Sequence, residues 1–294
     1  MNLSQKDKLY NWHPYTQHKT AADFPAIVKG KDALLWDENG KEYIDAIASW
    51  WVNPFGHSNT IIADAIYKQL TTLEHVLFGG FTHNKAVELA EKLMGILPSN
   101  QKKIFYSDNG STAVEVAIKA ALQFNYNKGI KKTKIIAFED AFHGDTFGAM
   151  ASSGISFFTE AFKGSLLEVA RIPVPTVGNE EKSISALQEL VKTNEYAAFL
   201  FEPLVLGAAG MVMYEPKVLD ELITICKNNN VITIADEVMT GFGKTGKTFA
   251  TDYLENKPDM MCLSKALTGG TIPMAITTFT QEIFSGIRVV KAYG

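Results

Sequence analysis

Two carboxylates, Asp236 and Glu237, close the apolar run VITIA, and Lys265 follows a second apolar run, DMMCLS, within LSKALTGG. A carboxylate ending a buried strand is partly out of water and must find a cation or strong donors. A lysine in an apolar pocket has its ammonium form disfavoured and becomes a usable neutral amine. Taken singly, each also fits a salt bridge or a solvated rim charge. Three further groups sit where strands are expected to end. In SDNGSTAVE (107–115), Asp108, Asn109, Gly110, Ser111 and Thr112 open a helix. Its free N–H groups and the Ser111 and Thr112 hydroxyls form an anion cup, or the stretch is an ordinary N-cap. AFHGDTFGA (141–149) sets Phe142 just after a strand and beside His143 and Gly144. There it stacks on a planar ring, or it is a core phenylalanine next to a turn histidine. Glu202-Pro203 ends AAFLF, with Glu202 either solvated at the rim or holding a polar group in a cleft.

Together the four groups describe a single chemistry. Pyridoxal 5'-phosphate needs a neutral lysine to condense with its aldehyde and an acid to keep its pyridine nitrogen protonated. It also needs a flat residue on the ring face and a donor-rich site for its phosphate. On this reading Asp236 holds the ring nitrogen and makes the ring an electron sink, while Lys265 makes the covalent link.

The elements that must position these residues follow from periodicity. The segment 26–46 alternates apolar and polar residues around Glu38-Asn39-Gly40, where Asn-Gly supplies the positive φ of a tight hairpin. The spacing predicts helices over 58–74 and 84–97, with Pro98 ending the second. From there strand and helix alternate: KIFYSD, then GSTAVEVAIKAALQFNYNKG, then KIIAFED; AAFLFEP, then EPKVLDELITICKNNN, then VITIAD and later DMMCLS. Those strands are continuous apolar runs, as a sheet covered by helices on both faces requires. The expected fold class is therefore α/β with a mostly parallel sheet, and such sheets hold ligands at the strand C-terminal ends. No internal repeat, low-complexity tract or linker interrupts the pattern.

Composition sets the outer bounds. The 294 residues, 46% of them hydrophobic and 20% charged, suit one large domain or a large domain with a small satellite. A formal net charge of -4 supplies no basic footprint for nucleic acid or an anionic membrane. Cys226 and Cys262 match no metal or redox spacing and read as small buried hydrophobes in a reducing compartment, so no metal site is expected. The first twenty residues hold no apolar core for a signal peptide. The longest apolar stretch, 197–214, is broken by Glu202, Pro203, Gly207 and Gly210, so no membrane span is expected, and the chain is read as cytoplasmic.

With ADEVMTGFGKTG and LSKALTGG as its most specific marks, the chain resembles the class III pyridoxal-phosphate aminotransferases from about Trp12 to about Ile283. WHPYTQ (12–17), ASWW (48–51), HVLFGGFTH (75–83) and HGDTFGAM (143–150) make it most like the branch that serves biotin synthesis. That branch aminates 8-amino-7-oxononanoate to 7,8-diaminononanoate with S-adenosylmethionine as donor, or lysine in some relatives. An apolar Met239, where most of the class has glutamine, also suits this branch. The resemblance implies a fold type I homodimer with active sites at the subunit interface. It divides the chain into an arm and hairpin over 1–47, contributing to a small domain, and a large cofactor-binding domain over 48–294. By the same resemblance, Gly110 and Ser111 bind phosphate, Phe142 stacks on the ring, and Asp145 and Glu202 support the site. Tyr15, Trp50 and Trp51 line the substrate pocket, where aromatic rings suit both a sulfonium cation and an aliphatic chain.

The sequence departs from the family pattern in three places. Phe142 stands where this branch more often has tyrosine. Lys244 stands where GFGRTG usually has arginine, exchanging a forked donor for a point charge. The family also continues past the position of Gly294 with a Gly-Pro-Thr segment, a small domain and an arginine for the substrate carboxylate. SGIRVVKAYG (285–294) does not look like that continuation, so a truncated or frame-shifted end, an incomplete small domain and weak or absent activity are expected. Two alternatives stand beside the biotin-branch reading: another class III enzyme acting on an ω-amino acid, and a catalytically inactive remnant.

Overall fold

The computed structural model describes residues 1–154 and 159–288. They fall into two compact units, Met1–Phe81 and a second that begins at Thr82. The last residues of SGIRVVKAYG, from 289 on, lie outside the described residues.

The first unit begins with the helix Leu3–Tyr10, capped reciprocally by Asn2 and Gln5. Three antiparallel strands follow: β1 (Ile27–Lys31), β2 (Leu34–Asp37) and β3 (Glu42–Ile44). The expected hairpin is the β2–β3 pair, with Gly40 at φ +81°. Asp37 Oδ1 closes the turn by accepting from the Asn39 and Lys41 amides at 2.9 and 3.0 Å. The helix expected over 58–74 is observed as Thr60–Leu70, with the Asn59 side chain accepting from Ile62 N. ASWW, by contrast, forms a single left-handed turn, Ala48–Trp51, with φ of 47°, 49°, 68° and 70°. Non-glycine residues pay roughly 1–2 kcal/mol each for that conformation. Asp45 holds it in place, accepting from Ser49 N at 2.9 Å and Ser49 Oγ at 2.7 Å, with His57 Nε2 2.9 Å from its second oxygen. The turn sets Trp50 edge-on to Tyr15, with ring centroids 5.7 Å apart.

The second unit is built on a seven-stranded sheet. Its strands are β4 (Gln101–Ser107), β5 (Lys134–Phe138), β6 (Val169–Ile172), β7 (Tyr196–Phe201), β10 (Ile232–Asp236), β11 (Met260–Leu263) and β12 (Ala275–Thr280). Two short strands, β8 (Val205–Leu206) and β9 (Val212–Met213), pair separately. The order is β4-β12-β11-β10-β7-β5-β6, with parallel pairing from β11 through β6. β12 runs antiparallel to both neighbours, which leaves β4 parallel to the rest. The fold is thus α/β and mostly parallel, as the sequence predicts; the reversed β12 and the short β6 are additions the apolar runs did not reveal.

Both faces of this sheet are covered. Phe138, Phe199, Phe201, Ala235, Met261 and Leu263 pack with the helices Glu180–Lys192 and Pro216–Asn228. Their strand neighbours Ile135, Ala198, Leu200, Ile234, Met260 and Cys262 pack with Gly110–Asn127 and Gln281–Arg288 on the other side. Alternate residues therefore enter different cores, which explains why Tyr196–Phe201 is buried at every position. Each fully buried large aliphatic or aromatic side chain contributes about 1.5–3 kcal/mol, which makes the sheet a rigid platform for its C-terminal edge. Among the described residues, no helix is long and apolar enough to cross a membrane.

Candidate active site

The adjacent strands β11, β10, β7 and β5 all point their C-terminal ends to one edge, and each delivers one expected residue there. Lys265 follows β11, Asp236 ends β10, Glu202 follows β7 and Phe142 lies just beyond β5. Asp236 sits in register with Cys262, three residues before Lys265. Lys265 is partly buried and has a positive φ of 38°, in the short turn Lys265–Thr268. Burial pushes its ammonium below the usual lysine value, and the charges of Asp236 and Glu202 oppose that shift. The three groups thus share one electrostatic neighbourhood.

Glu202 is buried and brackets two backbone segments. Its Oε1 accepts from Phe142 N at 3.0 Å and its Oε2 from Gly207 N at 3.0 Å. Burial raises its carboxyl above the usual value, partly offset by His143. Glu202 therefore fixes the backbone of Phe142, a residue that stays 37% exposed rather than joining the core. Asp145 lies exposed in the following loop.

The two carboxylates at the end of β10 have separate tasks. Asp236 Oδ2 lies 2.7 Å from His143 Nδ1, and its Oδ1 accepts from Val238 N at 3.1 Å. Glu237 turns into the protein, where it accepts from Thr240 Oγ1 at 2.5 Å, Ala250 N at 3.1 Å and Thr251 N at 2.7 Å. Burial raises the Glu237 carboxyl, and those donors limit the rise. Glu237→Ala would strand the two amides, so it is expected to lower unfolding free energy by about 2 kcal/mol or more. Urea denaturation would measure that loss, and an unchanged midpoint would rule out this bracing role.

The opening of Gly110–Asn127 is an Asn109 N-cap. The Asn109 side chain accepts from Thr112 N at 3.0 Å, and Asn109 N donates back to Thr112 Oγ1 at 3.2 Å. The Thr112 hydroxyl also donates to Asp108 Oδ1 at 2.5 Å, which is the N-cap arrangement the sequence offers as the alternative to an anion cup. Ser111 Oγ accepts from Thr146 N at 3.0 Å and lies 2.7 Å from Thr146 Oγ1. The first N–H groups of the helix, those of Gly110 and Ser111, have no place in its own ladder. Two close approaches require glycine here. A Cβ on Gly110 would lie 2.7 Å from Val238 Cγ1, and one on Gly144, at φ +122°, would lie 2.4 Å from Ser111 Oγ.

His143 is the residue that sequence reasoning missed. It reads as a turn histidine, yet its side chain is fully buried against Asp236, 93 residues away. No periodicity marks such a pair. Its Nε2 has no hydrogen-bond partner among the described residues, which costs about 1–3 kcal/mol for a buried polar atom. Met239 is buried. Lys244 is solvent-accessible as a residue, and its ammonium is pushed down by desolvation where the side chain packs and then by the charge of Lys265. Both cysteines are buried, and burial pushes their thiols up. Tyr15, Trp50 and Trp51 belong to the first unit, where the first two meet as described.

These residues fit a phosphate-bearing pyridine aldehyde. A shifted amine, a buried carboxylate, a half-exposed phenylalanine and the helix-opening amides beside glycines occupy one sheet edge. The seven-stranded, mostly parallel sheet is that of the fold type I transferases. The chain belongs to the aminotransferase class-III family, which it matches over residues 15–292. It is 44% identical to an adenosylmethionine-8-amino-7-oxononanoate aminotransferase of Synechococcus elongatus, over 93% of this chain and 66% of that protein. The protein of the same name from Staphylococcus aureus is 41% identical, over 96% and 66%. The crystal structure of that aminotransferase from Methanocaldococcus jannaschii superposes with a TM-score of 0.91 at 38% identity, covering 97% of this chain and 66% of that one. An omega transaminase from Pseudomonas jessenii, solved in complex with PMP, gives 0.91 at 29% identity, over 98% and 67%. The chain thus spans 66% of the length of the two curated relatives.

Proposed function

We propose that this chain carries the cofactor site of an aminotransferase that moves the amino group of S-adenosylmethionine to 8-amino-7-oxononanoate, giving 7,8-diaminononanoate for biotin synthesis. The observation that carries the reading is the meeting of Lys265, Asp236 and Glu202 at one sheet edge in a member of this family. The names of the relatives at 44% and 41% identity support the substrate pair. Pyridoxal 5'-phosphate, when bound, supplies a ring that withdraws electrons from the substrate α-carbon. Asp236 would hold the ring nitrogen, Phe142 would cover the ring, and Gly110 and Ser111 would bind the phosphate. Lys265 Nζ is the group that would hold the cofactor covalently and would carry the proton at the substrate α-carbon. Tyr15, Trp50 and Trp51 contact the substrate, and Asp145 and Glu202 support the site. Following the family resemblance, the protein works as a cytoplasmic homodimer.

A second reading, an aminotransferase acting on an ω-amino acid, is favoured by the likeness to the omega transaminase. A donor panel separates the two, with loss of the cofactor's visible band as the readout. S-adenosylmethionine is expected to discharge the band, or lysine if this chain follows the relatives that use it; discharge only by ω-amino acids would favour the second reading.

A further inference from the structure

We propose that His143 positions the Asp236 carboxylate against the ring nitrogen of the cofactor, and that Ser153 and Arg171 hold His143 in place. This rests on the pyridoxal-phosphate reading of the site.

The His143 side chain points inward at full burial, with Nδ1 2.7 Å from Asp236 Oδ2. A carboxylate accepts, so Nδ1 carries the hydrogen and donates it. Nε2 has no partner among the described residues. An apolar side chain would fill the same space without stranding a nitrogen, so packing alone does not account for an imidazole. The value of the residue therefore lies in its one bond. With Oδ2 tied to His143 and Oδ1 to the Val238 amide, the Asp236 carboxylate plane is held from both sides.

His143 is itself held. Its backbone N–H donates to Ser153 Oγ at 3.0 Å, and that hydroxyl donates on to Ala149 O at 3.0 Å. The Ser153 carbonyl accepts from Arg171 Nε at 3.2 Å and Nη2 at 2.7 Å, and Arg171 Nη2 also reaches Ala151 O at 2.7 Å. Arg171 projects from the edge strand β6, so a continuous line of hydrogen bonds runs from the sheet edge to the carboxylate on β10. His143 is a positioning residue, acting on the cofactor through Asp236.

The test is the dissociation constant of pyridoxal phosphate for wild type, His143→Asn, His143→Leu, Asp236→Ala and the His143→Leu/Asp236→Ala pair. Asparagine keeps an N–H donor near the Nδ1 position and is expected to bind within about threefold of wild type, whereas leucine is expected to weaken binding about tenfold. In the Asp236→Ala background, leucine is expected to cost nothing further, because the two residues act as one unit. Equal binding by wild type and His143→Leu, or the same loss in both backgrounds, would overturn the inference alone. No cofactor uptake by wild type would overturn the reading of the site and this inference with it. Should His143→Leu fail to fold, imidazole nitrogen NMR of the cofactor-free wild type decides. Hydrogen on Nδ1 and a bare Nε2 support the inference, and the opposite tautomer overturns it.

Discussion

Lys265→Ala is expected to leave a folded protein that no longer captures pyridoxal phosphate covalently and no longer transfers amino groups. After borohydride reduction, mass spectrometry should find one cofactor on wild-type Lys265 and none on the variant. The proton-transfer role alone is worth about 10²–10⁴-fold in rate, before loss of the link is counted. Fold loss should be small, because Lys265 follows β11 rather than joining either core. The pH dependence follows from the same burial. A depressed lysine is neutral over more of the alkaline range than a free one, so capture should speed up with rising pH. It should level off below 10.5, the ordinary lysine value. Asp236 and Glu202 oppose that shift, so removing either charge should move the plateau to still lower pH. Full turnover by Lys265→Ala would contradict the assignment.

Asp236→Asn should separate binding from chemistry. The amide is nearly the same size and keeps an oxygen for His143 Nδ1–H, while its NH2 replaces the oxygen that accepts from Val238 N, so one of the two surrounding bonds survives. It carries no charge to hold a protonated ring nitrogen, and the loss falls where negative charge develops at the substrate carbon. The expected outcome is a drop on the order of 100-fold or more in the single-turnover rate with the amino donor. Cofactor affinity should fall by about tenfold, since a hydrogen bond to a charged group is worth about 1.5–3 kcal/mol. Equal losses in both, measured by stopped-flow absorbance and equilibrium titration, would make Asp236 a binding residue only.

Much of this site is legible in the sequence because its determinants are local. AAFLF is an unbroken apolar run and VITIA is one but for Thr233, and such runs predict strands buried on both faces; the carboxylate ending each then falls at the sheet edge. The Asn-Gly hairpin is equally local. What escaped depends on pairing across the chain. β12 is threonine-rich, and its reversed direction is fixed by neighbours on both sides. The left-handed turn Ala48–Trp51 contains no glycine, so nothing in its composition announces it; Asp45 and His57 impose it. The stretch 107–115 stays open between an anion cup and an N-cap because the sequence does not show that Asn109 and Asp108 already use the Thr112 hydroxyl. His143 carries no signal of a partner 93 residues distant.

The most direct test of the central claim is the visible absorption spectrum of the purified chain with pyridoxal phosphate, recorded before and after S-adenosylmethionine. The account predicts a band from cofactor linked to Lys265 that fades when the donor is added. No band at all would mean that Lys265, Asp236 and the Gly110–Ser111 cup do not act as one site, and the proposed function would fall.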